Sequence, residues 1–211
     1  MFSGLSVSEI VVVIVSLVLS LSFHEAMHGF VAFWLGDSTA YDMGRLTLNP
    51  LKHIDFVTTI LLPIVLIVTV GMPFFAAKPV PFNPSRVKFG EYGAALVGIA
   101  GPLTNLLLAV LAATLLRLGS RSLDVTLQND LALFSLVNVC IFVFNMIPFP
   151  PLDGSRLLYA FAPEPLQELM VRLESYGFVT ILIFVFVFYE FFGGFFTNLE
   201  LHLYQLLTGI N

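Results

Sequence analysis

An apolar stretch of about 20 residues has few folding options, because in lipid each backbone N–H and C=O must be satisfied within the segment itself. This sequence holds several such stretches. Residues 7–23 carry only Glu9 as a charge, residues 56–77, 92–116 and 131–148 carry none, and residues 176–192 carry only Glu190. A last stretch, 195–207, is shorter and contains Glu200 and His202, so it is expected either to cross or to lie at the membrane interface.

Composition agrees. The chain is 58% hydrophobic and 11% charged, against about 25% charged in a soluble domain. A water-soluble globule of 211 residues could not hide that much apolar surface, so soluble enzymes, nucleic-acid binders and disordered chains are set aside. One integral membrane domain, 1–211, is expected. The first basic residue is Arg45, so the start of the chain is a poor cleaved signal and reads as a retained helix. The single cysteine, Cys140, excludes an intramolecular disulfide.

The connectors are short. Residues 38–49 alternate β-branched and polar side chains and suggest one or two short strands. Residues 78–84 hold three prolines, which allow only an edge strand or an extended segment. Residues 163–175 place Leu166, Leu169, Met170 and Leu173 at helical spacing, so a surface helix starting on Pro165 is expected. The fold class is therefore an all-α, polytopic membrane helix bundle of about four to six segments, with a small membrane-associated β-strand region.

Ionisable residues inside such a bundle are costly and mark function. The first helix contains His24, Glu25 and His28 in the string FHEAMHGF, an H-E-x-x-H pattern. Residues four apart share a helical face, so the two histidines can hold one metal ion from adjacent turns, with Glu25 beside them as a base. With only 4 histidines in the chain, chance produces the pattern in roughly 0.003 of such sequences.

Zinc catalysis uses three protein ligands and an open position. His53, Asp55, Asp37 and Asp42 lie in a polar connector, where a solvated or backbone-bonded side chain is the simpler account. Asp153 follows an apolar helix broken by Pro148, Pro150 and Pro151, and an unwound segment at membrane depth must line a cavity or be buried in protein. Asp153 is thus the favoured third ligand. Asn105 and Asn145 interrupt apolar helices too. Each either bonds to a neighbouring helix or serves a substrate or an oxyanion.

Topology supplies a separate test. If every apolar block spans, the end of the first helix and Asp153 fall on opposite sides. If 56–77 dips in and returns, they share a side. Arg45, Lys52, Lys78, Arg86, Lys88, Arg156 and Arg172 then share that face as well, against Arg117 and Arg121 on the other. Seven against two makes the shared face cytosolic, with the metal inside the membrane nearer that face.

At this point the sequence resembles the site-2 protease family of intramembrane zinc metalloproteases in a minimal prokaryotic form, on FHEAMHGFVAFWLGD at 23–37, GRLTLNPLKHID at 44–55, AKPVPFNP at 77–84, AGPLTN at 100–105 and NMIPFPPLDGSR at 145–156. The resemblance implies one zinc per chain on His24, His28 and Asp153, with Glu25 as catalytic base. It also implies Asn105 and Asn145 as residues that line the site. The implied partners are transmembrane protein substrates and the lipid bilayer, in a multi-pass protein of a prokaryotic cell membrane. The chain has no room for the PDZ or CBS domains that many members carry. A metal transporter is the main rival, but it would more often show an internal repeat, and the H-E-x-x-H segment has no second copy.

Overall fold

The computed structural model describes residues 6–53 and 79–210. Helix α1 runs Val7–Trp34, 28 residues, or about 42 Å. It opens on a capping box: Ser6 Oγ accepts from Glu9 N, and the Glu9 carboxylate accepts from Ser6 N at 2.7 Å. The one charge in the first apolar block is therefore an end group, set against the positive end of the helix dipole. Along α1 the buried positions are small or polar (Ser16, Ser20, Ser22, Ala26, Gly29, Ala32), whereas Val11, Ile14, Val15 and Leu19 face outward. That distribution inverts a soluble helix and suits close packing between helices surrounded by lipid.

After α1 no strand occurs among the described residues. The strands expected at 38–49 are replaced by a one-turn helix α2, Thr39–Asp42, a left-handed glycine at Gly44 (φ 63) and a 3-10 turn, Pro50–Lys52. Asp37 explains the difference. Its side chain accepts from Thr39 N at 3.1 Å and Thr39 Oγ1 at 2.5 Å, which coils the next residues into a turn. Alternation of side chains is not enough for a strand without a partner edge. Residues 79–83 are non-helical, as their prolines require, and are anchored by carboxylates instead of a ladder: Val80 N donates to Glu25 at 2.8 Å and Asn83 N to Asp37 at 2.6 Å.

Five helices complete the described chain: α3 Gly90–Gly119, α4 Val125–Asn145, α5 Gly154–Phe161, α6 Glu164–Ser175 and α7 Phe178–Thr208. Helix α6 matches the surface helix expected at 163–175. The blocks at 176–192 and 195–207 are one helix, α7, because Gly193 and Gly194 do not break it. Helix α3 is central and packs against α1, α4, α5 and α7. Its buried positions include Gly93, Ala94, Ala95, Gly98, Gly101, Ala109, Ala112 and Ala113, which let neighbouring backbones approach. Among the described residues α1, α3 and α4 are long and apolar enough to cross a membrane. The re-entrant segment expected at 56–77 lies outside the described residues.

Candidate metal centre

Helix α1 presents His24 and His28 to α3 from consecutive turns, and the proline-broken loop after α4 delivers Asp153 to the same point. His24 Nε2 and His28 Nε2 are 3.0 Å apart, and Asp153 Oδ2 lies 3.0 Å from the first and 3.5 Å from the second. Both rings are buried. The sequence placed these three residues together only if the end of α1 and the loop after α4 share a side, and they do.

The outer nitrogens decide what the inner ones can be. His28 Nδ1 is 2.7 Å from the Val97 carbonyl, which can only accept, so the proton is on Nδ1. His24 Nδ1 is 2.6 Å from Asn105 Oδ1 and donates in the same way. In the neutral rings each Nε2 then turns its lone pair toward the other and toward a carboxylate oxygen. Three acceptors at this spacing need a proton or a metal ion among them, and histidines held by outer hydrogen bonds are the usual form of a metal site. The donor set fits a divalent ion such as zinc.

Room for the cluster comes from a missing side chain. A Cβ at Gly101 would stand 2.6 Å from His24 Nε2 and nearer still to His28 Nε2. Gly98, one turn earlier, allows the same close approach on the Asp153 side, where a Cβ would meet the Asp153 carbonyl at 3.1 Å and the Arg156 Cβ at 2.8 Å. The backbone of α3 is thus the floor of the site.

Glu25 is buried beside the histidines, and its Oε2 accepts from Val80 N. Asn105 is fully buried: its oxygen faces His24 and its Nδ2 donates to Asn138 Oδ1 at 2.9 Å. Asn145 donates to Ile141 O of its own helix at 3.0 Å. His53 is bonded to the Thr47 carbonyl at 2.8 Å, the backbone-bonded alternative. Asp37 anchors residues 79–83, and its carboxyl is held below the ordinary range, burial being outweighed by the donors from Thr39 and Asn83. Sequence reasoning passed over Asn138, although an amide in the apolar block 131–148 carried the same signal as Asn105.

Comparison with known proteins then bears on the family. YwhC of Bacillus subtilis, provisionally named a zinc metalloprotease, is 38% identical over 177 residues, covering 81% of this chain and 78% of that protein. The chain belongs to the site-2 protease family. Two Rip2 proteins of the same provisional name are more distant members: that of Mycolicibacterium smegmatis is 29% identical, covering 84% of this chain and 67% of the relative, and that of Mycobacterium tuberculosis is 28% identical, covering 82% and 66%. No family model and no solved structure matches this site-2 protease.

Proposed function

We propose that the protein is an intramembrane zinc metalloprotease that hydrolyses peptide bonds within or near the transmembrane segments of other proteins. His24, His28 and Asp153 hold one zinc per chain, and Glu25 is the catalytic base. The observation that carries this reading is the convergence of three lone-pair atoms, all within 4.8 Å of one another, in a helix bundle suited to a membrane.

Held by His24, His28 and Asp153, zinc would supply Lewis acidity, activating water near neutral pH and polarising a peptide carbonyl. Glu25 takes the proton from the attacking water and returns it to the leaving amine. The Val80 N–H donates to Oε2 and so holds this carboxylate in place beside the histidines. Asn105 acts through His24, because its amide is spent on that ring and on Asn138. Asn145 spends one amide hydrogen on the Ile141 carbonyl and keeps the other, with Oδ1, for substrate or oxyanion. A substrate helix hides its carbonyls in its own hydrogen bonds and must unwind before attack.

Metal analysis with a cleavage assay on a transmembrane substrate tests the reading. Glu25→Gln is expected to keep zinc and to lose about 10²–10⁴-fold in turnover. Undiminished proteolysis refutes the role of Glu25, and zinc-free wild type refutes the metal site.

A further inference from the structure

We infer that Asn138, on α4 and outside the cluster itself, is a positioning residue that decides which nitrogen of His24 carries its proton. The inference rests on the reading of His24 as a metal ligand. It begins from an asymmetry between the two imidazoles. His28 is bonded directly to a backbone carbonyl, an acceptor that cannot reverse. His24 is bonded to an asparagine amide, which can present either its oxygen or its nitrogen. Something else must fix that choice.

The answer lies two residues further out. The Phe134 carbonyl can only accept, so Asn138 presents Nδ2 to it at 2.9 Å. Asn138 Oδ1 then faces Asn105, which must answer with its own Nδ2, at 2.9 Å. Asn105 is left offering Oδ1 to His24 at 2.6 Å, and only a protonated Nδ1 can respond. In the neutral ring the lone pair is therefore on Nε2, the nitrogen turned to His28 and Asp153. If Asn105 turned over, Nδ1 would have to accept, Nε2 would take the proton, and His24 could no longer ligate.

Both asparagines are 0% exposed, so bulk water does not replace either contact. The Ser20 carbonyl asks the same orientation of Asn105, but from 3.4 Å. Asn138 is the shorter and better partner. The relay thus runs across three helices: α1 supplies the ring, α3 the first amide, and α4 the second amide with the carbonyl that sets its direction.

Zinc affinity of the full-length protein in detergent, measured by competition with a chelator, tests the relay. Asn138→Leu removes both ends of the second amide and is expected to weaken zinc binding by about 10–100-fold. Asn138→Asp keeps an oxygen for Asn105 and, protonated, a hydroxyl for Phe134, so it should stay within about threefold of wild type. Ser135→Ala is the control. Ser135 is equally buried and also bridges α4 to α3, donating to Ala109 O at 3.1 Å, but it does not touch the relay. Asn138→Leu binding zinc no more weakly than Ser135→Ala overturns the proposal. Should Asn138→Leu fail to fold, Asn138→Asp decides, and a loss of about tenfold or more there overturns it. His24→Ala separates the two readings. Zinc affinity untouched by that change removes the metal assignment itself, whereas a loss at His24 with none at Asn138 removes only the relay.

Discussion

Gly101 has no chemistry of its own, yet the position of both imidazoles depends on it. A methyl group there would overlap His24 and His28, and relief comes from turning the rings out of their hydrogen bonds or moving α3 away from α1. Overpacking of this kind costs about 1–3 kcal/mol, and here the displacement falls on the metal site. Gly101→Ala is expected to lower zinc affinity at least about tenfold, read by chelator competition, with far smaller loss of helix content. The legible residues were those whose spacing or setting carries chemistry. His24, Glu25 and His28 are bound by the four-residue repeat of a helix, and Asp153 stands out as a carboxylate after a proline-broken apolar segment. Asn138 was not legible in that way. A lone amide in an apolar helix can bond to any neighbour, and only the packed structure shows that its neighbour leads to His24.

At the scale of elements, Asp37 does most to shape the region between α1 and α3. It starts the turn of α2 and clasps Asn83, so one carboxylate takes the place of the strand pairing that residues 38–49 suggest. The alternating pattern was real, but it could not reveal that a side chain at position 37 would satisfy the backbone first. Likewise the glycine pair at 193–194 looked like a boundary, and continuous helical hydrogen bonding carried α7 through it. Asp37→Asn should cost about 1–3 kcal/mol, because one of the buried donors then faces an NH₂ group. The sign with pH follows from the lowered carboxyl. Its contribution is present above the ordinary value of 3.8 and is lost as pH falls through the lower folded value. The stability gap between wild type and Asp37→Asn, measured by thermal unfolding in detergent, should therefore narrow below pH 3.8 and stay constant above pH 5 or so.

For the whole molecule, the charge pattern predicts one orientation, with the face richer in basic residues in the cytosol. The cluster ties the C-terminal half of α1 to the loop after α4, and the side they share carries Arg45, Arg86, Lys88, Arg156 and Arg172. Ser85 and Ser122 are exposed on opposite connectors, which makes them suitable reporters in a Cys140→Ser background. Ser85→Cys should react with a membrane-impermeant thiol reagent only from the cytosolic side, and Ser122→Cys only from the outside. The reverse pattern would reject the orientation.

The dependence of two imidazoles on α3 has a further consequence for the order of events during synthesis. His24 and His28 leave the ribosome long before Val97, Asn105 and Asp153, so a chain with only its first helix inserted holds two rings whose protons nothing assigns. Such a chain has the H-E-x-x-H segment without the contacts that orient it. The cluster closes only when the loop after α4 delivers Asp153, so a half-built copy holds the two rings without their third candidate ligand.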